Sequence, residues 1–476
     1  MPAGIRADLV CAGLAAVLVL AAFVVPRLHD EAWRQRVWAA AAPIYGHWLP
    51  HIGWGTGPAV AVAALVVVGG PVAARRLPWR QLLSLTWVVS VVWAFSLAMI
   101  DGARRGFADR LATDWEYLHE VGGVHDIGAM LHGFAGRILD FQPDSWTTHV
   151  SGHPPGALLV FVLLDRIGLG GGAWAGVLCL LAGCSVAVAV PVALKALGAP
   201  EKARAVTPFL ALAPAAIWIA VSADALFAAV TAWGVALLAI ATRRRPGWPV
   251  VALVSGLLLG FGLYLSYGLA LMAIPAAAVL LLRGFRPALP ALLGVALVVA
   301  AFTAGGFWWL EGYHLVVERY YQGIASVRPY SYWVWGNLAA TVCAVGLATA
   351  AALHRVGRGL VPGGVAAGIV AAGGKEPVAR PGPGPIPHVA AKLVVYLHDW
   401  RSRVDPAVVV AAAGLAALLA ADLSGLSKAE TERIWLPFDV WLLAATALLP
   451  ARSVRAWLVV QAAGALLLNH LLFTNW

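Results

Sequence analysis

The sequence predicts an all-α polytopic membrane protein with about 13 transmembrane helices. Its 476 residues are 61% hydrophobic and only 12% charged, with a mean hydropathy of +0.82. Soluble domains carry roughly 25% charged residues. Apolar runs rich in Ala, Leu and Val extend over about 17–22 residues, the length at which a helix crosses the bilayer core. Barrel strands would instead alternate over about 10. Lysines and arginines, finally, gather in alternate loops between these runs.

The expected spans are 7–26, 57–74, 81–100, 173–194, 206–222, 224–241, 249–265, 268–282, 288–307, 333–353, 406–421, 436–450 and 456–472. The first has one weak upstream charge, Arg6, and no clear small-residue cleavage site, so a retained helix is expected rather than a signal peptide. With the N-terminus inside, the cytoplasmic gaps hold Arg75/Arg76/Arg80, Lys195/Lys202/Arg204, Arg243/Arg244/Arg245, Arg283/Arg286, the stretch from Arg355 to Arg403, and Arg452/Arg455. Lys and Arg near helix ends set orientation, and the bias repeats loop after loop. The net charge of +10 therefore reads as a collar facing anionic lipid, with no need for a nucleic-acid partner. Cys11, Cys179, Cys184 and Cys343 all fall within expected spans, which argues against a disulfide framework or a thiolate metal site.

Segment 157–171 is apolar but short, and it contains Asp165-Arg166. Counting it as a span would reverse every later basic loop, so it is expected to lie along the outer membrane surface. The outer loop 101–172 then runs to about 70 residues, too long for a plain connector. Four regions follow: an additional N-terminal helical pair (1–80), a transmembrane core (81–353) carrying that loop, a cytoplasmic Gly/Pro-rich linker (354–405), and C-terminal helices (406–476). No internal repeat suggests the inverted halves of a secondary transporter.

Polar residues crowd the expected outer face. Asp114 and Glu116 are two apart: such a pair can divide proton abstraction from donor orientation or cation binding, or simply be solvated acids capping a helix at 115–119. In His153-Pro154-Pro155-Gly156 two prolines fix a rigid turn and the glycine permits close approach. His149 and His153 are four apart, a spacing that suits a metal only on a helix, which is not expected there. Asp224, in Ser222-Ala223-Asp224, is either a turn residue or an acid facing a watery cleft. The loop 308–335 is dense in Trp and Tyr and carries Arg319 and Arg328; most of it reads as an interfacial aromatic belt. Near the C-terminus, Lys428, Glu430, Glu432 and Arg433 mix cations with acids. Arg433 offers a bidentate fork for a phosphate, or forms an interfacial ion pair.

In this order the motifs resemble the GT-C glycosyltransferases, polytopic enzymes that use polyprenyl-phosphate sugars. That superfamily includes protein O-mannosyltransferases, lipid A aminoarabinose transferases and actinobacterial envelope mannosyl- and arabinosyltransferases. Asp114-Trp115-Glu116-Tyr117, the His153-Pro154-Pro155-Gly156 turn with its surface segment, Ser222-Ala223-Asp224-Ala225-Leu226 and Glu432-Arg433-Ile434-Trp435-Leu436-Pro437-Phe438 carry the resemblance, over roughly residues 81–476. It implies a GT-C-like bundle in the plasma membrane with an extracytoplasmic active site. The implied activity is inverting transfer from a polyprenyl-phosphate sugar to a cell-envelope glycan, lipid or protein. A divalent cation is possible, although no all-protein cage can be identified. The resemblance ranks the base as Asp114, then Glu116, Asp101 and Asp30. It assigns substrate contacts to His149, His153, Asp224, Arg328, Lys428, Glu432 and Arg433. A lipid or polysaccharide transporter or flippase, or a non-catalytic relative, is the alternative.

The orientation has a direct test in whole cells. Cysteines introduced as Asp109→Cys or Ser427→Cys should react with an impermeant thiol reagent added outside, and Arg244→Cys should not. Labelling of Arg244→Cys alone would reverse the topology.

Overall fold

A computed structural model describes residues 3–360 and 399–475. Most of the linker expected at 354–405 lies outside the described residues; positions 354–360 complete the helix Leu347–Leu360. Among the described residues the chain is almost wholly helical. The one sheet pairs Gly46–Trp48 antiparallel with Leu472–Thr474, which ties the end of the chain to the first long loop.

Among the described residues eight helices are long and apolar enough to cross a membrane, or up to ten if each of two bent pairs counts as one span. The expected 13 is not matched by these helices. The three remaining expected segments are short or interrupted helices. Segment 206–222 breaks into Thr207–Ala211 and Ala216–Ile219 around Pro214, which lacks an N–H and would clash with the preceding turn. Tyr267–Arg283 and Leu436–Leu448 are the others. Every residue from 206 to 229 is buried. Irregular backbone is tolerated at membrane depth when protein surrounds it, and hydropathy alone cannot register such a break. The bent pair Tyr330–Val345 and Leu347–Leu360 turns by 108° at Gly346, whose φ of +80° suits glycine.

The helix Ala223–Ala241 is the centre of the bundle. Alanine dominates it and nearly all of it is buried, against Trp248–Leu265, Val186–Ala196, Gly172–Cys184 and Leu436–Leu442. Small residues let backbones approach where apolar burial against lipid gives little drive. At the crossing of Trp248–Leu265 with Ala288–Ala304, a Cβ on Gly256 would lie 1.8 Å from the Ala291 carbonyl oxygen, and one on Gly294 2.3 Å from that of Leu253.

The N-terminal pair does not stand apart. The first helix packs on Tyr330–Val345 and Leu347–Leu360, and Thr56–Arg76 packs on Trp79–Ala98 and the last helix. Buried Asp8 fastens the first contact, 2.7 Å from His354 Nε2 and 2.8 Å from the Arg355 guanidinium.

Within 101–172 the chain forms several short helices, among them Leu118–Val121, Ile127–Gly133 and Thr148–Ser151, before Pro155–Arg166. This last helix has 12 residues, about 18 Å of rise, so it cannot cross a core of roughly 30 Å. Pro155 opens it, where a missing N–H costs nothing. Gly156 sits so close to Tyr264 that a Cβ would lie 2.5 Å from its carbonyl oxygen. The turn is thereby pinned to Trp248–Leu265, and His149 and His153 are held beside the head of Ala223–Ala241.

Candidate functional site

The two acids of the Asp-x-Glu element point to opposite sides. Asp114, first in the expected ranking of bases, has a side chain 91% exposed, with His119 Nδ1 at 3.8 Å. Glu116 is buried, with Oε1 2.7 Å from His149 Nδ1. The backbone makes the difference: Glu116 N–H closes a turn onto Thr113, and His149 N–H donates to the Trp115 carbonyl at 3.0 Å. The two stretches are stapled together with Glu116 facing inward.

The other acids are also accounted for locally. The Asp101 side chain sits in a cluster of its own, 2.8 Å from His51 Nε2 and 3.3 Å from Arg110 Nη2. Arg110 also donates to the Thr474 carbonyl at 2.6 Å, so this cluster anchors the C-terminal strand. Asp30 caps the helix Glu31–Val37, accepting from Trp33 N–H. Neither joins Glu116.

Glu116, His149, Asp224 and Arg433 do meet. Asp224 lies in the first turn of Ala223–Ala241, and Arg433 in the short helix Thr431–Ile434. Arg433 Nη1 donates to Asp224 Oδ2 at 2.6 Å; its Nη2 lies 3.1 Å from His149 Nε2 and 3.2 Å from Glu430 Oε2. A guanidinium only donates, so His149 Nε2 accepts and Nδ1 carries the proton that faces Glu116. His153 Nδ1 lies 2.7 Å from the His149 carbonyl and 2.9 Å from the Tyr117 hydroxyl, which places both groups beside the cluster.

A second layer backs the first. Arg328 Nη1 donates to the Lys428 carbonyl at 2.7 Å and lies 3.3 Å from Glu430 Oε1. Lys428 is buried and gives one of its three protons to the Ala325 carbonyl. Ala429 and Glu430 have φ of +73° and +63°, a strained pair for residues with a Cβ. The Asn337 amide oxygen, accepting from Ala429 N–H, and the Arg328 bond to the Lys428 carbonyl hold that turn. Glu432 accepts from Tyr45 N–H at 2.9 Å. Sequence reasoning missed Glu430 and Tyr117 as site residues. The available signals were an acid three before Arg433 and a tyrosine adjoining Glu116.

Burial alone would raise the Glu116 carboxyl, but the hydrogen-bonded His149 and the Arg433 charge hold it below the usual carboxylate range. Glu430 behaves likewise: Arg328 and Arg433 outweigh its burial. Burial lowers the His153 imidazole, against the pull of Asp224, and raises the Tyr117 phenol, with Glu116 adding to it. Burial raises Glu432 to about 7, only partly opposed by the backbone hydrogen bonds it accepts. Among the described residues no group of three or more His, Cys, Asp or Glu side chains is placed to hold a metal ion. Of the cluster's carboxylates, Asp224 and Glu430 are engaged by Arg433, and Glu116 by His149.

No known protein family matches the chain, and no curated protein matches it significantly. Similar solved structures include the archaeal oligosaccharyltransferase AglB from Archaeoglobus fulgidus in complex with an inhibitory peptide and a dolichol-phosphate. It is 14% identical over 77% of this chain, with a TM-score of 0.42. The Archaeoglobus fulgidus oligosaccharyltransferase in the apo form gives 14% over 78% and 0.43, and its complex with Zn and sulfate 15% over 81% and 0.41. The chain covers 50% of the length of each of these.

Glu432 gives a testable pH dependence. Its carboxyl is raised in the folded state, so between the ordinary carboxylate range and about 7 the folded chain holds a proton the unfolded chain has lost. Stability contributed by Glu432 therefore falls as pH rises through that window. The lowered His153 acts in the opposite sense, and the depressed Glu116 and Glu430 act at lower pH. The difference between the parent protein and Glu432→Gln isolates Glu432. Apparent melting temperatures in detergent at pH 5.5 and 7.5 should show the parent losing stability relative to Glu432→Gln. Parallel profiles would place the proton elsewhere.

Proposed function

We propose that this chain is a membrane glycosyltransferase of the GT-C type. It moves a sugar from a polyprenyl-phosphate donor to an extracytoplasmic cell-envelope glycan, lipid or protein, with inversion, in the plasma membrane. The observation that carries this reading is the meeting of Glu116, His149, Asp224 and Arg433 in one buried hydrogen-bonded cluster. They come from four separate stretches of sequence, and the motifs around them stand in the order that resembles that superfamily. Exposed acids and a scattered arginine would have favoured a passive membrane protein.

In this mechanism Glu116 takes the place first expected for Asp114. Its carboxylate removes the proton of the acceptor hydroxyl as that oxygen attacks the anomeric carbon from the face opposite the phosphate. The bond from the anomeric carbon to the phosphate oxygen breaks, and polyprenyl phosphate leaves with the electron pair. A phosphate is a stable anion, so no acid need protonate it. His149, with its proton on Nδ1, orients Glu116 and keeps it ionised. Asp224 and Glu430 fix Arg433 in place. Lys428 and Arg328, with Arg433, supply the positive field into which phosphate charge develops, and burial strengthens that field.

A transport reading has one observation in its favour. Asp439 lies in the apolar helix Leu436–Leu442, buried, with neither carboxylate oxygen hydrogen-bonded among the described residues. An ionisable group in such a segment is a functional candidate by default.

Reconstitution in liposomes with a polyprenyl-phosphate sugar separates the readings. Glu116→Gln should lower transfer by about two to four orders of magnitude with an unchanged elution profile, while Asp114→Asn keeps transfer close to the parent rate. Full activity in Glu116→Gln, or loss in Asp114→Asn alone, would refute the base assignment. Loss of activity in Asp439→Asn with Glu116→Gln unaffected would favour transport.

A further inference from the structure

A cavity lies beside the buried cluster, joined to it through the Tyr45 N–H bond to Glu432. It has a volume of about 550 Å³ and is formed by the end of the first helix, the helix Glu31–Val37 and the loop that follows. That volume is within the range of small-molecule sites, which are clefts of roughly 300–1,000 Å³ with aromatic walls and a few placed polar groups.

We propose that this cavity is a saccharide subsite that holds the acceptor glycan, a neutral oligosaccharide. The inference rests on the glycosyltransferase reading of the adjoining cluster. The lining is chemically mixed. Trp38 and Tyr45 offer aromatic surface, and Trp38 remains 53% exposed. Beside them Glu31 is paired with Arg34 and lies 3.4 Å from Gln35 Nε2. The Arg27 guanidinium covers the Phe23 ring and donates to the Phe23 and Ala40 carbonyls. Both arginines are thus already engaged, one by a carboxylate and one by backbone oxygens. A phosphate group is held by a cation with donors left to present, such as Lys428 of the cluster, which gives one of its three protons to Ala325. A sugar needs donors and acceptors side by side for its hydroxyls, and a flat apolar surface for its ring, and that set is present here.

The cavity also shares a wall with the cluster. Tyr45 lines it, and its N–H donates to Glu432. Arg328 Nη2 lies 3.4 Å from the Trp38 carbonyl, while Nη1 of the same guanidinium reaches Glu430. A glycan seated on Trp38 is therefore one side chain away from the residues that hold Arg433.

Saturation-transfer NMR on the full chain in detergent tests this with neutral trisaccharides (mannotriose, maltotriose and arabinotriose) and glycerol phosphate as an anionic headgroup probe. At least one trisaccharide should show ring-proton enhancement, and Trp38→Asn should weaken it by about tenfold, equivalent to about 1.4 kcal/mol. Asparagine is chosen because residue 38 has a φ of +52°, which asparagine tolerates. Gln35→Ala, on an exposed helix face, should also weaken binding and covers the case in which Trp38→Asn does not fold. Enhancement of glycerol phosphate alone, no trisaccharide signal, or a signal that survives both substitutions would overturn the proposal. Glu116→Gln should still bind. Binding without transfer under any condition would sink the transferase reading and leave the subsite standing; transfer without binding would do the reverse.

Discussion

The arrangement depends on one buried cation. Arg433 is 5% exposed, and a guanidinium taken out of water at that depth costs several kcal/mol unless opposite charges surround it. Asp224 and Glu430 supply the charges directly, and His149, oriented by Glu116, completes the circle. Each partner comes from a different segment, so satisfying one charge fixes the relative positions of a helix head, a Pro-Pro turn, an outer-loop turn and a strained corner before the final apolar helices. Removal of a single partner from such a set leaves an uncompensated buried charge, a loss of about 3–5 kcal/mol. The positive φ values at Ala429 and Glu430 persist because this requirement outweighs them.

The scaffold makes that burial possible. An alanine-rich central helix and glycine crossings draw the backbones together, and short helices inside the bundle bring polar segments to depth without exposing their peptide groups to lipid. The same close packing explains why polar side chains concentrate where loops fold back over the helix heads. Between the spans polar side chains are fewer, though Asp8, Asn337, Asp422, Asp439, Gln461 and Asn469 are buried there.

Fold class was legible because bilayer thickness writes itself into run length and charge placement. Helix count was not, since hydropathy reports apolarity and misses an interruption such as the one at Pro214. Four polar motifs could be read as one site from their order, and Glu116, His149, Asp224 and Arg433 lie together. Which of Asp114 and Glu116 faces inward was closed to sequence reasoning. In an irregular loop two acids two residues apart have no periodicity to say which faces inward, and the deciding contact, His149 N–H to the Trp115 carbonyl, joins positions 34 residues distant. The surroundings of Asp101 were hidden for a related reason: its partners Arg110 and His51 reach it only through the tertiary fold. Glu430 was hidden because its role depends on a left-handed backbone that no local residue type announces.

The central claim is that the Arg433 cluster is where donor phosphate and acceptor meet. An electron cryomicroscopy structure of the chain in lipid nanodiscs with added polyprenyl phosphate tests it most directly. The account predicts the lipid phosphate within hydrogen-bond reach of Lys428, Arg328 or Arg433, on the side of the cluster that Glu116 faces. A phosphate bound at the Asp101–Arg110 cluster, or at any site from which Glu116 cannot be reached, would contradict it.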